Sequence, residues 1–144
     1  MRYYKLTDIA TIILPVALGT WLYLAYRSTQ IRVFGWANTL ALQTQIQQIR
    51  HLKPESLPDW VVFSLPAALW VFAWIYAMAY VWRFQTSKAA RYWRYAAATL
   101  ALASELAQAV QLIAGHFDTT DLVCMFVATI IAFTAIHFRQ QIYN

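Results

Sequence analysis

The chain has 144 residues, 61% hydrophobic and only 12% charged. A soluble domain carries about 25% charged residues, so this composition excludes an ordinary soluble domain and reads as one bilayer-embedded domain over 1–144 with room for a few spanning helices. The net charge of +5 does not speak for nucleic acid, because basic residues of a membrane protein gather at its cytoplasmic helix ends. The single cysteine, Cys124, excludes an internal disulfide framework.

Met1 to Lys5 is a basic start with an aromatic pair. Ile9 to Tyr26 follows without a charge, about 27 Å as a helix, long enough to span a bilayer. Pro15 and Gly19 inside it are tolerated in spanning helices. The run exceeds a signal-peptide core, and no small-x-small cleavage site follows Tyr26, so it is expected to be a retained helix rather than a leader. Arg27 to Asp59 is the one long connection. Within it, Asn38 to Leu52 sets Leu40, Ile46, Ile49 and Leu52 among glutamines and Arg50, an amphipathic segment suited to the membrane surface or to capping a bundle. A solvated linker is the alternative. Trp60 to Trp82 is a second uncharged run, with Pro66 as a kink near its start. A basic turn of Arg83, Lys88, Arg91 and Arg94 leads into a third span, 92–114, with Arg94 snorkelling and Gly115 as a stop signal. The fourth span is 122–138.

The expected fold is therefore an all-α membrane protein: four transmembrane helices at about 9–26, 60–82, 92–114 and 122–138. With the N-terminus inside, the inner side holds Arg2, Lys5, Arg83, Lys88, Arg91, Arg94 and Arg139. The outer side holds Arg27, Arg32, Arg50 and Lys53. The positive-inside bias thus favours cytoplasmic N- and C-termini, with the amphipathic segment in the first extracytoplasmic loop. Aromatic belts fit at both interfaces: Trp21, Tyr23, Tyr26 and Trp60 outside, and Tyr80, Trp82, Tyr92, Trp93 and Tyr95 inside.

One stretch carries the chemistry. Glu105, Gln108 and Gln111 recur every three residues with Ser104 beside them, and at 100° per residue they share one face. Ala101 and Ala107 lie near it, where small side chains admit a neighbouring helix. The stripe runs from mid-membrane toward His116, Asp118 and Asp121 in the outer loop. An ionisable group at membrane depth is costly and usually faces a bundle interior or a wet cavity. Asp118 or Thr119 can cap the fourth helix, and Asp121 suits the positive end of its dipole. A purely structural role remains open, with a protonated Glu105 as interhelical glue and the aspartates as caps. No zincin, nucleophile-elbow, Walker or CxxC pattern occurs. No cofactor or metal is called for; a metal would have to be built from Glu105, His116, Asp118 and Asp121, a set that favours a hard cation.

At these residues the chain resembles the VanZ-like family of small bacterial membrane proteins. Members typically carry Glu-x-x-Gln in a membrane helix, then a turn with spaced Asp residues opening the next helix. Here these are Glu105-Leu-Ala-Gln108 and Phe117-Asp118-Thr-Thr-Asp121-Leu122. The stretch from Leu57-Pro58-Asp59-Trp60 through Pro66 to Trp70 also looks like small relatives. The chain departs from the pattern where many members carry Arg before the Asp pair, with His116 nearest here. It also departs early in the last helix, where Cys124, Met125 and Ala128 stand in place of Asn and Gly. The resemblance implies an envelope role, since the namesake is associated with resistance to a lipoglycopeptide antibiotic; it implies no settled reaction.

The functional expectation is a multi-pass protein of the bacterial inner membrane that binds, or binds and modifies, an anionic amphiphile: a lipid, a lipid-linked sugar or a lipoglycopeptide. Glu105 would act as general acid or base, and Asp118 and Asp121 would position an amine or a cation. Gln108, Gln111 and His116 would line the site, and Arg27, Arg32 or Arg50 would meet phosphate if the first loop folds over it. The alternative is a non-catalytic small subunit or assembly factor, with a membrane-protein partner or further copies of the chain covering its faces. In that reading Trp70, Trp74 and Tyr76, inside the second helix, suit a protein contact. A proton or cation pathway is a third reading, short of a second deep acid for a relay.

Overall fold

The computed structural model describes residues 6–29, 32–85, 87–113 and 116–143, except for the side chains of 32, 33, 97 and 140–143. It is 79% helical, and no strand occurs among the described residues. The helices are α1 (Leu6–Tyr26), α2 (Arg32–Thr39), α3 (Gln43–His51), α4 (Asp59–Phe63), α5 (Leu65–Val81), α6 (Lys88–Ala109) and α7 (Thr119–Tyr143). α5 is the central element, packed against α1, α6 and α7. Val71, Ile75 and Tyr76 of α5 form the main core with Ala98 of α6 and Met125, Ala132 and Ile136 of α7. The start of α1, the α5–α6 turn and the end of α7 lie at one end, called proximal; the α6–α7 turn, α3 and α4 lie at the other, called distal.

α1 and α7 are long and apolar enough to cross a membrane, while α5 is apolar but shorter. Of the most apolar 18-residue window in each, only 17% in α1 and 11% in α7 is buried within the chain. A core helix of a soluble protein would be mostly covered, whereas here Ile13, Leu14, Phe126, Ile130 and Ile131 are exposed. These helices therefore turn apolar side chains outward, as helices facing lipid do.

The element ends differ from the sequence expectation at several places, each for a local reason. α1 begins at Leu6, so Asp8 lies inside the helix; the charge is tolerated because it is paired, as described below. The second run divides at Ser64 into α4 and α5. Pro66 lacks an N–H and cannot extend α4 through its position. The Phe63 carbonyl at this break instead accepts a hydrogen bond from Arg27 Nη2 at 3.1 Å. The expected amphipathic segment, Asn38 to Leu52, is broken rather than continuous: it takes in only the end of α2, a turn at Ala41 (φ 56°) and then α3. Ile46 packs there with Phe34, Ala37 and Leu24, whereas Leu40 and Leu52 are exposed. It is folded rather than a linker: Arg50 Nη2 donates to the Arg27 carbonyl, and the Tyr26 hydroxyl donates to the Pro54 carbonyl at 2.8 Å.

Close packing of α1 on α5 depends on Gly19. A Cβ there would stand 2.9 Å from Trp70 Nε1 and 3.1 Å from the Pro66 carbonyl oxygen. Trp70 in turn meets the Tyr23 ring at 5.4 Å. Trp70 and Tyr76 are thus partly or wholly engaged within the chain, while Trp74 remains exposed.

Candidate functional site

Glu105 stands on α6 one turn before the helix ends at Ala109, and only 8% of it is exposed. The expected continuation to Ala114 does not form. The Leu112 N–H bonds back to the Ala107 carbonyl and the Gln111 N–H to that of Gln108, a Schellman turn with Gln111 in the left-handed region at φ 57°. Glu105 is therefore near the distal end of the helix rather than midway along it. Gln111 leaves the shared face and is exposed, while Gln108 stays on α6, half-buried. The Ser104 hydroxyl is turned onto its own helix, donating to the Ala101 carbonyl at 2.7 Å. Gly115, expected as the stop signal, lies outside the described residues.

The early end of α6 brings the following turn back against Glu105. Asp118 and Asp121 lie within electrostatic reach of its carboxylate. Asp118 also caps α7: its Oδ1 accepts from the Thr120 N–H at 2.7 Å, which satisfies one of the free donors of the helix start. Asp121 sits in the first turn of α7, near the positive end of the dipole. Glu105 Oε2 and Asp121 Oδ1 are both buried without a hydrogen-bond partner among the described residues, as is Ser64 Oγ at the α4–α5 break. Such groups usually find partners, and each orphan costs about 1–3 kcal/mol. The three acids expected to share a site do converge.

The other expected residues separate from them. His116 is exposed in the α6–α7 turn. Arg27 and Arg50 belong to a second distal group built from α1, α3 and α4. The Arg27 guanidinium lies over the Phe63 ring at 5.2 Å and the Tyr23 ring at 5.8 Å; that of Arg50 lies over Phe34 at 5.0 Å. Nε of each is buried and has no hydrogen-bond partner among the described residues. The Arg32 side chain lies outside the described residues. No three His, Cys, Asp or Glu side chains among the described residues form a group able to hold a metal ion.

One buried polar group went unread in the sequence. At the proximal end Asp8, 3% exposed, forms an ion pair with Arg139 Nη2 at 2.7 Å and accepts from the Tyr76 hydroxyl at 3.1 Å. Arg139 Nη2 also donates to Thr7 Oγ1 at 2.9 Å. The available signal is an acid flanking one apolar run and an arginine flanking another. Comparison of the chain with protein-family models, curated proteins and solved structures finds no match.

Proposed function

We propose that the protein is a multi-pass, four-span protein of the bacterial inner membrane, with both termini cytoplasmic and the distal end facing outward. The spans are α1, α4 with α5, α6, and α7. In this reading the Glu105, Asp118 and Asp121 group receives the cationic part, an amine, of an anionic envelope amphiphile. Arg27 and Arg50, at the same end, meet its phosphate. The observation that carries the reading is Glu105: an acid 8% exposed, whose Oε2 has no hydrogen-bond partner among the described residues, with two further carboxylates within electrostatic reach. Mere helix glue would be served by a neutral amide without placing three acids together. The likeness to VanZ-like proteins rests on Glu105-x-x-Gln108 and Asp118-x-x-Asp121 and supports the same envelope role.

The test is native mass spectrometry of the gently extracted protein beside its Glu105→Gln variant. Wild type should retain an amine-bearing amphiphile, and the variant should lose it at least about ten-fold, the effect of roughly 1.4 kcal/mol. Equal retention by both would remove the site. A protein partner held equally by both, with no selective lipid, would favour the small-subunit reading instead.

A further inference from the structure

The proximal end carries an unassigned cleft between α6 and α7, with a volume of about 180 Å³. Arg91, Arg94 and Tyr95 of α6 and Phe133, Ile136 and His137 of α7 line it. Its floor is apolar: the Tyr95 and Phe133 rings pack at 4.9 Å and Ile136 belongs to the core. Its rim is cationic.

That rim is in electrostatic deficit. Lys88, Arg91 and Arg94 recur every three residues from the start of α6, so they fall on one helix face. The first turn holds no acid, and a cation there, as at Lys88, opposes the positive end of the helix dipole. Like charges three apart add mutual repulsion. The chain has six acids, of which Glu55, Asp59, Glu105, Asp118 and Asp121 are distal. The sixth, Asp8, is committed to Arg139. Ser87 caps the helix by accepting from the Ala90 N–H at 3.2 Å, and Arg94 Nε is turned toward that same end, donating to the Ala90 carbonyl. Among the described residues no Asp or Glu side chain balances the rim, which suits it to an anion from outside the chain.

We propose that this cleft binds the phosphate headgroup of an anionic phospholipid. Arg91 and Arg94 meet the phosphate, His137 bounds it from α7, and the Tyr95–Phe133 floor takes the glycerol region. A cleft of about 180 Å³ has room for a headgroup but not for acyl chains. The chains would run along Ile130 and Phe126, which are exposed on the same side of α7 one and two turns farther on. An apolar floor continuous with an exposed apolar helix favours a lipid over free phosphate, and basic pockets between spanning helices are a known way to hold anionic headgroups. The proposal rests on α6 and α7 lying in a membrane; it is independent of the distal carboxylates.

The test is native mass spectrometry of the full chain after equilibration with equal phosphatidylglycerol and phosphatidylcholine. Wild type should retain phosphatidylglycerol preferentially, and excess inorganic phosphate should not displace it. Arg91→Gln and Arg94→Gln should each weaken retention roughly five-fold, from about 1 kcal/mol per basic residue. Arg83→Gln, at the same end but outside the cleft, should leave it unchanged, as should Glu105→Gln. Equal retention of the two lipids by wild type overturns the proposal without recourse to any variant. Displacement by inorganic phosphate overturns the lipid assignment, and an equal loss in Arg83→Gln overturns the cleft in favour of diffuse surface charge.

Discussion

Of the six buried side-chain polar atoms without a hydrogen-bond partner among the described residues, five lie at the distal end, on Glu105, Asp121, Ser64, Arg27 and Arg50. Since native structures keep few such atoms, and each tends to have a functional or solvation reason, they single out that end more sharply than composition does. Glu105→Gln removes a buried acid standing beside two others, so the variant should be at least as stable as wild type even as it loses its ligand. A thermal melt in detergent reads this directly. Stability gained where binding is lost is the pattern of a site kept for function. Gln111 gives a second residue-scale expectation. Its side chain is exposed and its φ is 57°, a conformation that costs an L-residue about 1–2 kcal/mol and costs glycine nothing sterically. After the extra chain entropy of glycine in the unfolded state, Gln111→Gly should raise stability by roughly 0.5–1 kcal/mol in a denaturant titration. A loss would mean that the Gln111 side chain holds a contact its exposure does not suggest.

Among the elements, α1 and α7 are tied at their proximal ends by Asp8 and Arg139, with Tyr76 of α5 as the third member. The side chains are 5% and 31% exposed, so the acid carries most of the burial. Removing one partner of a buried pair costs about 3–5 kcal/mol, less where the surviving partner reaches solvent. Arg139→Gln strands a buried carboxylate and should therefore cost more than Asp8→Asn, which leaves an arginine free to turn outward. The double variant should recover part of the loss, because neither charge is then stranded. Thermal unfolding of the four proteins gives the coupling energy. Losses of equal size that simply add would show that the two residues act separately.

The whole molecule is polar in charge as well as direction. Arg83, Lys88, Arg91 and Arg94 stand near one end, and five of the six acids near the other. Under the proposed orientation, Gln85 in the α5–α6 turn is cytoplasmic and His116 in the α6–α7 turn is outside; both are exposed. In a Cys124→Ala background, His116→Cys should react with a membrane-impermeant thiol reagent on intact cells, and Gln85→Cys only after lysis. The reverse pattern would invert the topology and with it the leaflet assigned to each site.

The long uncharged runs, their aromatic ends and the basic turn between the second and third were legible along the chain, because hydropathy and helix periodicity are local properties. The convergence of Glu105 with Asp118 and Asp121 was legible too, since only a short turn separates them. The split of the expected site was not: Arg27 and Arg50 are held by the Phe63 and Arg27 carbonyls and by aromatic faces, contacts that no spacing rule encodes. Nor was the end of α6, where Gln111 takes a left-handed conformation usually reserved for glycine. The Asp8–Arg139 pair spans nearly the entire chain, and the cleft needs Arg91 and His137 from different helices. Local pattern thus determined that the chain is helical and apolar. Which charges are buried, paired or left facing an open cleft was decided only by tertiary packing, because electrostatic partners are chosen by distance in space rather than separation in sequence.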